Sequence, residues 1–252
     1  MIIDAHVHIG SLDSRSSHFG STPKIFSADD MIALMDRNGV DKVVTNPFGH
    51  MTTEREFEEK NGIIVAAAKK YPNRIIPFAK VNPWLDNGLQ LFERAIRDWG
   101  CKGLKLHPIS DAFQANDDMV FPYIERAAKF KIPVQIHSHQ PGSQPALIGD
   151  LADRFPEVTF IMAHMGMNLY KDAIFVARIL KNIVLETSAQ PWTHRICKPA
   201  IDQIGSDRLV WGSDAPLHHQ EIELKKVTMS GLNDEEKRKV LGENMRNILK
   251  LT

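Results

Sequence analysis

Eight short apolar segments rich in β-branched residues alternate with helical segments along the 252 residues of this chain. Apolar runs of this kind are typical of parallel strands that are buried on both faces of a sheet. Eight strand–helix units in a chain of about 250 residues favour a closed (β/α)8 barrel over an open sheet. The predicted strands are residues 2–8, 40–45, 74–81, 103–108, 132–138, 158–164, 183–188 and 209–214.

Capping residues and helix breakers indicate the helices between these strands. Ser27 is a candidate N-cap for a helix that stops at Asn38-Gly39, and a long helix runs from Thr53 to Tyr71. Residues 234–249 are predicted to form one closing helix with Asn233 as its cap. The other predicted helices cover residues 89–99, 119–130, 145–155, 169–180, 195–204 and 221–229.

Composition limits the class of protein and its partners. A hydrophobic content of 43% suits one α/β barrel domain over residues 1–252. The formal net charge of zero gives no sign of a nucleic acid or an anionic membrane as partner. Two cysteines without a CxxC pair, no signal segment and no apolar stretch of membrane-spanning length predict a cytoplasmic protein.

Polar residues concentrate where the predicted strands end. In a barrel of this type the active site lies at the C-terminal ends of the strands. His6 and His8 share one face of the first strand, so both imidazoles can reach a single divalent metal ion. A His-x-His pair without metal, exposed or in the core, is the alternative. The polar residues at strand ends are His6, His8, Lys105, His107, His137, His164 and Asp214.

The residue types at these strand ends predict the chemistry. Imidazoles with a carboxylate suit Zn²⁺, and Mn²⁺, Fe²⁺ and Co²⁺ are alternatives. A catalytic metal keeps one position open for water and lowers the pKa of that water to about 7. A neighbouring carboxylate can accept the water's proton, and a free histidine can orient the water or polarise the substrate.

Motifs along nearly the whole chain resemble the amidohydrolase superfamily. The resemblance is to its amidohydrolase-related branch of metal-dependent hydrolases, which also contains non-oxidative decarboxylases and a lactonase. The motifs that carry it are Asp4-x-His6-x-His8, Gly103-x-Lys105-x-His107-Pro108, His137, Ala163-His164-Met165-Gly166, Gly212-Ser213-Asp214-Ala215-Pro216 and the closing segment 241–249.

This resemblance implies roles for the strand-end residues. Asp214 would be both a metal ligand and a proton acceptor, and His164 would be the catalytic histidine beside the metal. Lys105 has two interpretations: a contact for an anionic group of the substrate, or the carboxylated lysine that bridges two metals in binuclear members. One divalent ion, zinc first and manganese as the alternative, would have four ligands: His6, His8, His137 and Asp214.

The resemblance leaves the reaction open. His107 and Trp192 are candidate substrate-binding residues, and we expect a small, anionic substrate. The first hypothesis is hydrolysis of an ester, lactone or amide-type bond by a metal-activated water, which the compact length of the chain favours. Non-oxidative decarboxylation of an aromatic or unsaturated acid is the alternative, and a catalytically inactive binding barrel is a further one. A homodimer is compatible with all three.

Overall fold

The computed structural model describes residues 1–12, 24–139 and 141–251. Its strands pair in parallel in chain order, apart from β2 and β3, which form an antiparallel hairpin. The strands are β1 (Ile3–His8), β2 (Gly10–Leu12), β3 (Lys24–Phe26), β4 (Lys42–Asn46), β5 (Ile75–Pro77), β6 (Ala79–Lys80), β7 (Leu104–Leu106), β8 (Val134–His137), β9 (Phe160–Ala163), β10 (Ile183–Glu186) and β11 (Leu209–Val210).

The parallel strands close into a ring. β5 and β6 are two parts of one barrel strand: β5 pairs with β4 and β6 pairs with β7, on either side of Phe78. The first and last strands are joined by backbone hydrogen bonds, from Ala5 N to Trp211 O (2.9 Å) and from His8 N to Ala215 O (2.8 Å). Eight strand positions therefore complete the circle, and the prediction of a (β/α)8 barrel is confirmed.

Helices follow the barrel strands and pack around them. No helix in the described ranges is both long and apolar enough to cross a bilayer. The helices are α1 (Ala28–Asn38), α2 (Glu54–Lys70), α3 (Gly88–Arg97), α4 (Pro108–Asp111), α5 (Phe121–Phe130), α6 (Pro145–Arg154), α7 (Tyr170–Ile179), α8 (Thr193–Ile204), α9 (Gln220–Thr228), α10 (Asp234–Arg238) and α11 (Asn244–Ile248).

The start of α1 is set by local sequence. Ser27 accepts a hydrogen bond from the backbone N–H of Asp30, and the Asp30 carboxylate accepts one from the backbone N–H of Ser27. This reciprocal capping box satisfies two N–H groups that the first turn leaves unpaired. The helix ends at Gly39, whose φ of 67° lies in the left-handed region that glycine tolerates.

The structure corrects two predicted boundaries. Pro108 begins α4 rather than ending the fourth barrel strand, because the His107 side chain accepts from the backbone N–H of Ser110 and caps the turn. The predicted helix 234–249 is divided by a π-helical segment, Lys239–Glu243. A Cβ on Gly242 would lie 2.2 Å from the backbone oxygen of Met1, so this segment packs directly against the start of β1.

We expect Gly103→Ala to destabilise the protein. A Cβ at position 103 would lie 2.5 Å from ring atoms of the buried Phe78, and overpacking of this kind costs about 1–3 kcal/mol. Gly62→Ala is the matched control, because it lies inside α2 with no atom within 4 Å of the new methyl group. That control should stabilise the helix by up to about 1 kcal/mol. Urea unfolding of both variants measures the difference, and equal midpoints would contradict it.

Candidate metal centre

A cavity of about 180 Å³ opens at the C-terminal end of the barrel. Among the described residues, its wall includes every predicted site residue except Trp192. Trp192 caps the start of α8 and is half exposed, so the structure does not bring it to this wall, and its substrate role stays a prediction. The predicted residues that line the cavity are His6, His8, Lys105, His107, His137, His164 and Asp214.

His8 has hydrogen-bond acceptors on both sides of its ring. Its Nδ1 lies 3.2 Å from the backbone oxygen of Asn46, and its Nε2 lies 3.0 Å from Oδ1 of Asp214. A neutral imidazole carries only one N–H, so it cannot donate to both. When Nδ1 donates to the Asn46 carbonyl, the lone pair of Nε2 faces the Asp214 carboxylate. A cation is then needed between these two atoms.

His6 adds a third acceptor to this pair. Its Nδ1 lies 3.0 Å from Oε2 of Glu186, and its Nε2 lies 3.0 Å from Nζ of Lys105, which in its ammonium form can only donate. The lone pair of His6 is therefore on Nε2, 3.6 Å from Oδ1 of Asp214.

The three acceptors fit a metal ion. Ligand atoms of His6, His8 and Asp214 all lie within 4.8 Å of one another. Ligands bound to one metal at about 2.1 Å are about 3.0–3.4 Å apart, close to the separations from Asp214. Two imidazole nitrogens and a carboxylate oxygen are ligands that Zn²⁺ and Mn²⁺ both accept. The donor set therefore suits a divalent cation better than a single proton.

His164 and His137 form a second pair. Nδ1 of His164 lies 3.1 Å from the backbone oxygen and 2.9 Å from Oγ of Ser188. Its Nε2 lies 3.0 Å from Nδ1 of His137. The structure thus places the predicted ligand His137 against the predicted catalytic histidine, and its link to the group of His6, His8 and Asp214 stays a prediction.

The cavity wall also carries hydrogen-bond donors. His107 stacks on His137 with ring centroids 4.0 Å apart. Its Nδ1 accepts from Ser110 N, so a neutral His107 carries its proton on Nε2. Lys80 is paired in register with Lys105 on the neighbouring strand, and both lysines are buried and line the cavity. Bound anions are stabilised by such donors.

Burial keeps four histidines of the cavity neutral: His6, His107, His137 and His164. Desolvation, reinforced by the charge of Lys105, holds the pKa of His6 well below 6.5. Burial has the same effect on His137 and His107, with the charges of His107 and Lys80 respectively as further causes of the lowered pKa. Burial also lowers the pKa of His164 to about 4, although Asp214 opposes the shift. Neutral imidazoles are the form that binds metals and accepts protons.

The charged groups are shifted by the same burial. Desolvation lowers the pKa of Lys105 to about 7, against the opposing carboxylates of Asp214 and Glu186. Burial raises the pKa of Glu186, and the hydrogen bonds that it accepts from Ser188 oppose this shift. Burial also acts to raise the pKa of Asp214, but the hydrogen bond with His8 and the charge of His164 outweigh it, so that pKa lies below 3.8. Perturbed groups of both signs in one cavity are typical of a functional site.

Backbone conformation points to the same location. His164 and Asp214 have φ values of 62° and 58°, in the left-handed region that residues other than glycine adopt rarely. Such conformations persist where surrounding contacts impose them, and they cluster at active sites. Here the Asp214 N–H donates to the His6 backbone oxygen (2.7 Å), which fixes the turn after the last strand.

The sequence model of the Amidohydrolase family matches residues 3–251. This chain belongs to the amidohydrolase family. A comparison with curated protein sequences returned no significant match.

Solved structures share the fold of this amidohydrolase at low identity. A 2,6-dihydroxybenzoate decarboxylase from Rhizobium is 15% identical, with 99% of this chain and 98% of that chain covered and a TM-score of 0.82. A manganese-bound 5-carboxyvanillate decarboxylase from Novosphingobium aromaticivorans is 15% identical (100% and 97% covered, TM-score 0.80). A putative amidohydrolase from Staphylococcus aureus is 18% identical (99% and 99% covered, TM-score 0.76).

Sequence analysis did not identify three contributors to the site of this amidohydrolase. Glu186 lay in a predicted strand, but the sequence did not show which side chain it contacts. Ser188 was not part of any recognised motif. Lys80 ended the third predicted strand region, where a lysine in an apolar run was an available but unused signal. His218 is half exposed, and its Nε2 lies 4.0 Å from Oδ2 of Asp214.

Lys80 and Asp111 form a buried ion pair that we expect to stabilise the cavity wall. Their charged atoms lie 3.2 Å apart, and the two side chains are 2% and 0% exposed. Lys80→Met should cost about 3–5 kcal/mol, because Asp111 is left as an uncompensated buried charge. Chemical unfolding measures this loss.

A double variant tests that explanation. Lys80→Met/Asp111→Leu should recover most of the stability, since no charge remains unpaired. Arg55→Gln breaks an exposed ion pair with Glu59 and should have no measurable effect. A double variant as unstable as Lys80→Met would show that the loss comes from packing instead.

Proposed function

We propose that this amidohydrolase is a metal-dependent, non-oxidative decarboxylase of a small aromatic acid. The observation that carries the proposal is the likeness in fold to decarboxylases of 2,6-dihydroxybenzoate and 5-carboxyvanillate, which extends over 97–98% of those chains. The compact length of this chain therefore no longer favours hydrolysis. The cavity supports the proposal because it combines acceptors suited to a cation with donors suited to an anionic substrate.

The metal would be held by His6, His8 and Asp214, with His137 as the proposed fourth ligand. Manganese is our first assignment, supported by the manganese-bound decarboxylase structure, and zinc is the alternative. When bound, the metal supplies a positive charge that attracts and polarises oxygen atoms of the substrate.

The donor wall would bind the acid. We assign the substrate's anionic oxygens to the Lys105 ammonium and to the Nε2–H of His107, which lie two residues apart on the fourth barrel strand and its extension. A charged and a neutral donor together match the two oxygens of one carboxylate or a carboxylate beside a hydroxyl group.

Asp214 and His164 would handle protons. His164 is neutral, so its Nε2, once released from Nδ1 of His137, can accept a hydrogen bond from a substrate hydroxyl and increase the electron density of the ring. Asp214 is ionised in the resting site, because its pKa lies below 3.8, so it would act as a proton shuttle. It takes up a proton from solvent and delivers it to the ring carbon that bears the carboxylate, where a C–H bond forms. The bond from this carbon to the carboxylate then breaks, its electron pair restores the aromatic ring, CO₂ leaves, and Asp214 is ionised again.

Hydrolysis is the second candidate. The Amidohydrolase family model and the likeness to a putative amidohydrolase support it. In that reaction Asp214 would accept a proton from the attacking water, and Lys105 would bind a carboxylate of the ester, lactone or amide substrate. The two candidates differ in their products rather than in their residues.

Metal content tests the site directly. We expect about one equivalent of manganese or zinc in protein purified without chelator, and its loss in the His6→Ala/His8→Ala variant, because two of the proposed ligands are removed. Trp192→Phe, outside the cavity wall, is the control that should retain metal. Nearly two equivalents would instead assign Lys105 as a bridging ligand. No uptake after incubation with either ion would contradict the metal centre.

Product analysis tests the reaction. With hydroxybenzoates as candidate substrates, we expect release of CO₂ and no new carboxylic acid. Lys105→Met should weaken substrate binding by about 10–100-fold through loss of a charged hydrogen bond, while a new acid from ester or lactone substrates would favour hydrolysis. Inactivity of the metal-loaded protein on both substrate sets, with binding of the acids retained, would favour an inactive binding barrel.

A further inference from the structure

The Glu186 carboxylate is buried and is contacted by donors on every side described. Its Oε2 lies 3.0 Å from Nδ1 of His6, 2.8 Å from Oγ of Ser188 and 3.4 Å from the backbone N of His164. Its Oε1 accepts the backbone N–H of Ser188. Each of these groups can donate a hydrogen bond, and an ionised carboxylate, which only accepts, satisfies all of them. The hydrogen bonds from Ser188 oppose the burial that raises the pKa of Glu186, and they favour this ionised form. An amide in the same place would point N–H groups at one or more of these donors.

Two independent contacts fix the proton of His6. Glu186 accepts, which places the proton on Nδ1. Lys105 donates to Nε2 from 3.0 Å, which places the lone pair there. Both contacts give the same tautomer, with the Nε2 lone pair directed towards the cavity.

Ser188 extends this ordering to the second pair of histidines. A hydroxyl has one proton, and the Ser188 hydroxyl donates it to Glu186. Its oxygen must then accept from Nδ1 of His164, at 2.9 Å, together with the Ser188 backbone oxygen at 3.1 Å. The lone pair of His164 is therefore on Nε2, where it accepts from Nδ1 of His137 at 3.0 Å.

Close packing holds the carboxylate in this position. A Cβ on Gly212 would lie 2.4 Å from Oε1 of Glu186 and 3.0 Å from Cβ of His6. The glycine of the last barrel strand thus leaves room for Glu186 and for little else. Glu186 and His6 are 0% and 1% exposed, so water does not replace these contacts.

We propose that Glu186 is a positioning residue that sets the tautomers of His6 and, through Ser188, of His164. Both histidines then present Nε2 lone pairs to the cavity. The inference deepens the proposed function and rests on its metal centre, since an oriented lone pair matters most to a metal ion. Hydrogen-bonded partners of this kind commonly change metal affinity by about 10–100-fold.

The test replaces Glu186 by Gln and examines metal-free and metal-bound protein separately. In metal-free protein, ¹⁵N-resolved NMR of the imidazoles should show His6 leaving the pure Nδ1–H tautomer, because glutamine offers one acceptor where the carboxylate offers two. Titration with Mn²⁺ and Zn²⁺ should show a dissociation constant about 10–100-fold higher than that of the wild type.

Two further variants separate positioning from a general effect on the strand. Ser188→Ala removes the hydroxyl but keeps the backbone acceptor for His164, so the His164 signals should change more than those of His6, with a smaller loss of affinity. Thr187→Val, directly after the end of β10, removes a buried hydroxyl with no hydrogen-bond partner among the described residues. It should leave both readouts unchanged.

The inference is overturned if Glu186→Gln keeps the wild-type imidazole signals and a metal affinity within about twofold of the wild type. It is also overturned if Thr187→Val changes both readouts as much as Glu186→Gln does. If the wild type binds no metal, the proposed metal centre fails, and the NMR comparison alone decides the role of Glu186. If Glu186→Gln does not fold, unchanged His164 signals in Ser188→Ala would reject the proposal.

Discussion

The hydrogen bonds that join the first barrel strand to the last are the constraint on which the candidate site depends. Asp214 N–H donates to the backbone of His6, and His8 N–H donates to that of Ala215. Asp4 strengthens the same junction by accepting from the backbone N–H of Ser213 at 2.9 Å. These partners lie at opposite ends of the chain, so the acceptor atoms of His6, His8 and Asp214 can come together only after the barrel has closed.

The sequence predicted the barrel because its signals are local and repeated. Apolar strand runs, Ser27 as a helix cap and Gly39 as a helix stop each depend on a few neighbouring residues. The closing helix was predicted wrongly because a distant contact decides its conformation. The break in the closing helix at Lys239–Glu243 reflects packing of Gly242 against Met1, which no local pattern encodes.

The site residues could likewise be predicted where the signal is local, and could not where a distant contact defines the role. Five histidines, a lysine and an aspartate at strand ends are visible in the sequence, and all seven residues line one cavity. Glu186 is different, because its function depends on a contact with a side chain from another barrel strand. That partner, His6, is 180 positions away in the chain. A carboxylate inside an apolar strand therefore signals a buried partner without identifying it.

The cavity separates acceptors from donors, and Lys105 lies at the boundary. Its ammonium donates to Nε2 of His6, the same nitrogen that would bind a metal. One lone pair cannot serve both, so Lys105 must give up this contact when a metal binds. Its charge would then be repelled by the metal and left with fewer acceptors, which favours pairing with an anionic substrate. Metal binding and substrate binding would therefore be coupled through a single imidazole nitrogen, whose orientation depends on Glu186.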